Sequence, residues 1–379
     1  MSLFSSKPNS YLGIDIGGQS IKVVEIQKER GKAMLRTFGI ADRPFSPKRL
    51  ESEEDPVKLG QLIKDLCAKA KVSSDRVITA LPTFDVFSSI INLPLMSEKD
   101  LPGAVSREAK KLIPLPLEEM SFHWKKLDVE VGATVGVVDS DDNGTNIKIA
   151  KKKQDFIKVL LTAAPASLVL RYVTIFKHAG LNLLNLEPEI FAMIRSLVGR
   201  DPALAMLVDL GAVNTTISLV EQGVPILNRG VDSGGKNVSR VIERVLGIES
   251  GQAEQFKKDF SEFVALYHKE SSQLPKDVEL SVAPIVNEIK YIFSLVANQA
   301  GEITLSGNAS SRIERIVLTG GSATLAYLAP YLEKLFDTKV YVGDPWARVL
   351  YPEDLRFLLE EIGPQLSISI GLGMREITS

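Results

Sequence analysis

The chain has 379 residues, 45% hydrophobic and 24% charged, with a net charge of −2. That composition fits a globular protein long enough for two or more domains of ~100–200 residues, and its near-neutral balance gives no case for nucleic acid, which needs a basic face. A single cysteine, Cys67, excludes a disulfide framework and a thiolate metal site, suits a reducing compartment, and falls in a helical pattern where a buried thiol is expected.

The opening MSLFSSKPNS holds no apolar stretch of secretory length, which leaves Phe4 or a partner for peripheral attachment. YLGIDIGGQSIKVVEI (11–26) follows: an apolar strand stopped by Asp15, the pair Gly17–Gly18, a hydroxyl, and a second strand. Alone it reads as a tight hairpin. A proline-bearing linker from Ala41 to Asp55 leads to the helix PVKLGQLIKDLCAKAKV, whose Leu59, Leu62, Ile63, Leu66 and Ala70 keep helical spacing. DRVITALPT (75–83) reads as a short buried strand ended by proline.

From residue 92 the pattern suggests an insertion. It has a proline-punctuated helix, SEKDLPGAVSREAKKLIPLPLEEM, then SFHWKKLDVE, an acidic loop and the strand pair NIKIAKKKQDFIKVLLTAA. The acidic loop at 139–146 lacks the ligand spacing and closing glutamate of a calcium loop, and its composition favours mobility. Lys151, Lys152 and Lys153 read as a solvated strand end. The run VLLTAAPASLVL (159–170) is too short to span a bilayer and contains Pro165, so the chain is not expected to be integral to a membrane. The helix PASLVLRYVTIFKHAG and the strand LNLLNLEP then lead back to the first domain.

ALAMLVDLGAVNTTISLVEQG (203–223) repeats the design of SYLGIDIGGQSIKVVEIQKER (10–30). Each is an apolar strand ending Asp, aliphatic, Gly, then a polar turn and a β-branched strand. Asp15 and Asp209 head the two turns 194 residues apart, about half the chain. Similarity on that scale predicts a duplicated domain with a cleft between the halves. RIERIVLTGGSATLAYLAPYLEKLF (312–336) adds strand, glycine pair and helix, and the alternation predicts helix-covered sheets with ligands at the strands' carboxyl ends.

Glycine-rich turns let backbone N–H groups approach an anion closely. A carboxylate at a strand tip repels phosphate but holds Mg²⁺ through water, and the metal neutralises a polyphosphate. Two such turns on opposite walls would clamp a Mg-nucleotide, with Lys22 reaching a β- or γ-phosphate as a point charge. Gly320, Gly321 and Ser322 offer a helix N-terminus, or equally an ordinary loop with a serine cap. VDSGGKNVSRVI (231–242) is a similar loop opening a helix, with Lys236 nearby.

GIDIGGQSIKVVEI, LEPEIFAMIRSLV (186–198), MLVDLGAVNTTISLV, IVLTGGSATLAYL and SISIGLGMRE (367–376) resemble, in order, the phosphate 1, connect 1, phosphate 2, adenosine and connect 2 motifs of the actin superfamily, over nearly the whole chain. Actin and the sugar kinases carry large insertions. The small subdomain before connect 1 looks instead like the relocated one of the FtsA-like branch. Length, the GIDIGGQSIKVVE wording, the LEPE and SGGKNVSR stretches, and an end at GMREITS without a basic amphipathic helix make the PilM family of type IV pilus assembly proteins the better match.

The resemblance implies an α/β, actin-like (ribonuclease H-like) duplicated fold with an FtsA-type insert. Its expected divisions are 1–91 for the first domain, 92–185 for the insert, 186–202 for the return and crossover, 203–224 for the second-domain core, 225–305 for its upper subdomain, and 306–379 for the remaining core and return helix. It implies ATP with Mg²⁺ between the domains. Asp15, Gly17, Gly18, Gln19, Ser20 and Lys22 match phosphate 1; Asp209, Gly211, Asn214 and Thr215 match phosphate 2; the metal falls to Asp15 and Asp209. Gln19 stands where relatives often carry serine. Gly234, Gly235, Lys236, Gly320, Gly321 and Ser322 fall on the adenosine side. Glu254 and Lys257 would meet ribose and base, although a solvated helix face suits them as well.

Glu187 is the one evident candidate for orienting an attacking water; it reads equally as a polar strand end before Pro188. Phosphoryl transfer needs a positioned nucleophile, so binding with slow or no hydrolysis is expected. The implied partner is the N-terminal cytoplasmic tail of a PilN-type bitopic membrane protein, gripped beside the insert. That puts the chain in the cytoplasm, peripheral to the inner membrane, with other pilus inner-membrane and motor components and self-association open. The alternatives are an FtsA-like filament protein of cell division, a small-molecule kinase of the same fold, and a type II secretion relative.

Overall fold

The computed structural model describes residues 9–43, 55–127, 156–267, 276–308, 311–325 and 327–378. The acidic loop, the triple lysine and Phe4 lie outside them. β1 (Ser10–Ile16) and β2 (Ser20–Glu29) pair antiparallel with Asp15 opposite Lys22. Leu12, Ile14, Ile21, Val23 and Val24 are all buried, as in a sheet covered on both faces. Arg30 and Gly31, with φ of 48° and 82°, make a tight turn into β3 (Lys32–Asp42), a strand absent from the expectations above.

α1 (Pro56–Lys69) starts at Asp55, whose carboxylate accepts from the Val57 N–H, and buries Leu59, Ile63, Leu66 and Cys67. Burial pushes the Cys67 thiol up to about 11, so it is inert packing. β4 (Arg76–Leu81) then runs parallel to β1. The chain leaves to form β5 (Phe87–Pro94), α2 (Leu101–Leu112), β6 (Met120–Lys126) and β7 (Phe156–Pro165), a three-stranded sheet in the order β5-β7-β6. Ile91, Val105, Ala109, Val159 and Leu161 make its separate core.

α3 (Ala166–Ala179) returns to α1, where a Cβ on Gly60 would stand 2.7 Å from the Ile175 carbonyl. β8 (Asn182–Pro188) pairs with β4. The insert therefore runs from Phe87 to Pro165 rather than over 92–185. Strand pairing, which local pattern does not encode, returns α3 and β8 to the first sheet.

The second half repeats the first. β9 (Ala205–Leu210), β10 (Thr215–Glu221), β11 (Val224–Val231), β12 (Arg315–Thr319) and β13 (Lys339–Val342) form a sheet in the order β11-β10-β9-β12-β13. It matches β3-β2-β1-β4-β8 strand for strand, and Gln222 with Gly223, at φ of 54° and 76°, repeats the Arg30–Gly31 turn. β14 (Val349–Leu350) extends the β3 edge.

α5 (Gly235–Leu246) and α6 (Ser250–Tyr267) pack on each other. α7 (Lys276–Ile303) is long and apolar enough to cross a membrane by length and composition alone, yet its Ile285, Ile289, Ile292 and Val296 lie in the second-sheet core with Val208 and Leu318. β11 and α7 thus belong to that core, not to an upper subdomain over 225–305. α8 (Leu328–Phe336) covers the same sheet.

Two helices tie the halves. α4 (Glu189–Met193), continued by a wide π turn over Ile194–Val198, meets α9 (Arg356–Thr378) in a core that takes residues from both sheets: Ile78 and Ala80 of the first, Leu207 and Val317 of the second. The small residues of connect 2 make this approach possible. A Cβ on Gly371 would stand 2.0 Å from the Ala192 carbonyl, and one on Gly13 1.9 Å from the Ser369 carbonyl. Gly371→Ala should therefore cost about 1–3 kcal/mol of stability. Thermal denaturation checks this; an unchanged midpoint would mean that the helices do not touch at this point.

Candidate functional site

The duplicated hairpins bring their tips face to face across a cleft of about 450 Å³. From the first half come Asp15, Gly17, Gly18, Gln19, Ser20 and Lys22. From the second come Asp209, Gly211 and Asn214, with Gly235 and Lys236 at the start of α5 and Gly320–Ser322 after β12. Glu254 and Lys257 reach in from α6, so they are not a solvated helix face: Lys257 pairs with Glu254 at 2.7 Å and donates to Ser239 Oγ at 3.0 Å.

The glycine turns lock into one another. Gly235 N–H donates to the Gly211 carbonyl at 3.0 Å, Lys236 N–H to that of Ala212 at 2.9 Å, and Ser322 N–H to that of Leu210 at 3.1 Å. Gly320, at φ 90°, sits where a Cβ would be 2.4 Å from Asp209 Oδ1; any side chain there would push the carboxylate aside. Among the described residues, Gly18, Val213 and Gly321 N–H groups make no backbone hydrogen bond, which leaves three walls of the cleft with donors for an anion.

Charge in the cleft is lopsided. Lys22 pairs with Asp15 at 2.7 Å. Burial pulls this lysine down, but the charge and hydrogen bond of Asp15, helped by Asp209 and Glu189, outweigh it and hold the ammonium above its ordinary value. Asp209 is pushed up to about 6, mainly by loss of water and further by Asp15, with Lys22 opposing. Glu189, the first residue of α4, is raised well above the carboxylate range by the same loss of water and by the charges of Asp15 and Asp209, although Thr83 N–H donates to it at 3.1 Å. No three acidic or histidine side chains among the described residues gather closely enough to hold an ion alone. Mg²⁺ keeps waters and takes one or two carboxylates plus phosphate oxygens, and Asp15 with Asp209 would supply the two carboxylates. Facing carboxylates, free backbone donors and glycine walls fit a Mg-nucleotide.

Four expectations need correction. Glu187 does not face the cleft: it is buried and clamped by Arg195 at 2.8 and 3.0 Å and by Arg375 at 3.1 Å. Thr215 turns away, its hydroxyl donating to the Ser233 carbonyl at 2.7 Å, and Thr216 takes the cleft side. Gly234 backs the wall, where a Cβ would stand 2.6 Å from the Gly211 carbonyl, without lining it. Ser322 opens no helix; α8 begins only at Leu328.

Among the cleft residues that were not expected, Glu189 and Arg43 matter most to its charge and shape. Glu189 lay in the quoted LEPE, and the position of β8 beside β4 would have singled it out. Arg43 had no local signal: it directly follows β3, donates from its backbone to the Gln19 carbonyl and from its guanidinium to the Gly17 carbonyl, each at 2.9 Å, and so braces the first turn.

Two halves with one strand order, joined by crossing helices above a cleft of paired carboxylates and glycine turns, define an actin-like ATPase fold. The family model described as "Type IV pilus assembly protein PilM" matches residues 13–139 and 143–377, and the chain belongs to that family. It is similar to the solved PilM-PilN type IV pilus biogenesis complex, at 22% identity over 97% of this chain and 98% of that one, with a TM-score of 0.75. It is also similar to the ethanolamine utilization protein EutJ from Carboxydothermus hydrogenoformans, at 18% identity over 97% and 89%, with a TM-score of 0.50.

The charge imbalance has a measurable sign. With its folded pKa raised above the unfolded value, Asp209 contributes stability that is complete below the unfolded pKa and is lost as pH rises through about 6. Asp209→Asn should therefore stabilise the ligand-free protein at pH 7.5 by ~1–2 kcal/mol, discounted for water reaching the cleft, and the gain should fade toward pH 5. Melting curves in EDTA test this, and a pH-independent difference would refute it. Glu187→Gln leaves Arg195 and Arg375 short of a charge. It should lower stability by about 2 kcal/mol, less than a fully buried pair, while changing cleft affinities less than twofold. A collapse of nucleotide affinity without destabilisation would return Glu187 to the site.

Proposed function

We propose that this chain is an ATP-binding scaffold of type IV pilus assembly, holding Mg-ATP between its two halves. The observation that carries this reading is the symmetric one: Asp15 and Asp209, equivalent residues of a duplicated hairpin, face each other across a glycine-lined cleft with Lys22 between the strands. Asp15 and Asp209 hold the metal through water, Lys22 and the Gly18, Val213 and Gly321 N–H groups take the phosphates, and Glu254 with Lys257 meets ribose and base. Mg²⁺, when bound, supplies the charge that lets a polyphosphate sit among carboxylates. Glu189 replaces Glu187 as the group to orient a water. One of its oxygens already accepts the Thr83 N–H, which favours binding with slow or no turnover.

The relative in the solved complex assembles with PilN. By family membership we assign this chain the cytoplasmic tail of a PilN-type membrane protein, which would keep it in the cytoplasm at the inner membrane. The tail's place is a groove of about 590 Å³ between β5 and β11, each the last strand of its sheet. Terminal strands present unpaired backbone groups to an extended peptide. Two buried oxygens that have no hydrogen-bond partner among the described residues, Thr83 Oγ1 and Asn228 Oδ1, line it.

Calorimetry with Mg-ATP and a synthetic tail tests both parts. Asp15→Ala with Asp209→Ala should lower Mg-ATP affinity by at least about tenfold, more than 1.4 kcal/mol. Asn228→Ala should weaken the tail alone. Tail binding lost in Phe122→Glu instead, on the opposite edge strand β6, would move the tail to that side of the insert; wild type that binds neither ligand would sink the reading.

A further inference from the structure

Between β4 and the insert, the turn Thr83–Asp85 touches both halves of the molecule. On one side, Thr83 N–H donates to Glu189 at the cleft. On the other, the ring of Phe84 lies against β11 where a residue has no side chain: a Cβ on Gly230 would stand 1.5 Å from ring carbon Cε1 and 2.2 Å from Cδ1. The glycine is not there for its backbone, because it is not among the residues with positive φ. Its role is space.

Register extends the contact. Asp209 faces Thr216 across β9 and β10, and Thr216 faces Gly230 across β10 and β11. Cross-strand partners share a face, and Asp209 and Thr216 both line the cleft. A straight row therefore leads from the Asp209 carboxylate to the seat of Phe84, and the peptide bond from Phe84 to Thr83 leads on to Glu189. Phe84 and Thr216 also line both the cleft and the outer groove, so this ring is a wall common to the two spaces.

We propose that Phe84 is a positioning residue for the cleft: seated on Gly230, it fixes the spacing between Glu189 of the first half and Asp209 of the second, and thereby the metal-dependent part of nucleotide affinity. A phenyl ring suits this task, being rigid, apolar and large enough to fill a glycine's vacancy with two torsions fixed. The inference rests on the Mg-ATP reading above.

The test compares ATP with Mg²⁺ and ATP with EDTA, by calorimetry, for wild type, Phe84→Ala, Gly230→Ala and the double variant. Each single change should cost Mg-ATP affinity at least about tenfold, in the range that small misplacement of binding groups produces. ATP in EDTA should stay within twofold, since the carboxylates act on the metal side. The double variant should be no weaker than Phe84→Ala alone, because the methyl added to β11 then meets empty space. Phe84→Leu, which keeps apolar bulk in the seat, should recover most of the loss and carries the test should Phe84→Ala fail to fold. Equal Mg²⁺ dependence in all variants, or additive losses, would overturn the proposal. Wild type that binds neither form of ATP would instead bring down the nucleotide reading, and this inference with it.

Discussion

Acidic side chains crowded into one cleft, with Asp15, Asp209 and Glu189 acting on one another and on Lys22, set the terms for the rest of this molecule. Asp15 has Lys22 at 2.7 Å, while Asp209 and Glu189 feel the same ammonium from farther off. Like charges at such proximity are unfavourable where water is scarce, so something rigid must hold them there. The rigidity comes from the interdomain core, where α4 and α9 meet at backbone contact and fix the angle between two sheets. Under the Mg-nucleotide reading proposed above, these carboxylates favour a cation and the surrounding N–H groups favour the anion that accompanies it.

The insert occupies a revealing place in this scheme. It enters and leaves between β4 and α3, the step where the second half goes from β12 to α8 with a short loop. An addition there leaves both five-strand orders intact. It also meets the second half directly: Lys158 of β7 donates to the Leu305 carbonyl, while Leu305 N–H donates to the buried carboxylate of Glu221. The insert is thus bound to both domains, so its orientation follows their relative placement.

The duplication was legible because each hairpin tip is a local event: strand, aspartate, glycine, strand. Asp15 and Asp209 were found together for that reason, and most of the glycines with them. The misses share one cause. Glu187 and Glu189 are two residues apart in one quoted motif, and only the position of β8 in its sheet decides which meets Arg195 and which meets the cleft. Thr215 and Thr216 differ in the same way, since one step along a strand reverses the face. β3 and β11 pass unnoticed because their hydrophobic alternation is weak and their partners lie elsewhere in sequence. Arg43 reaches the cleft from the far end of β3, a contact that pairing with β2 creates and no motif announces.

The backbone contact between Gly371 and Ala192 has a mechanical meaning. Helices this close cannot slide without driving side chains into carbonyls, and the core packed around the contact opposes rotation as well. The pairing thus works as a splint, and a load placed on the insert, which Lys158 ties to the second half, is carried across both halves rather than absorbed between them.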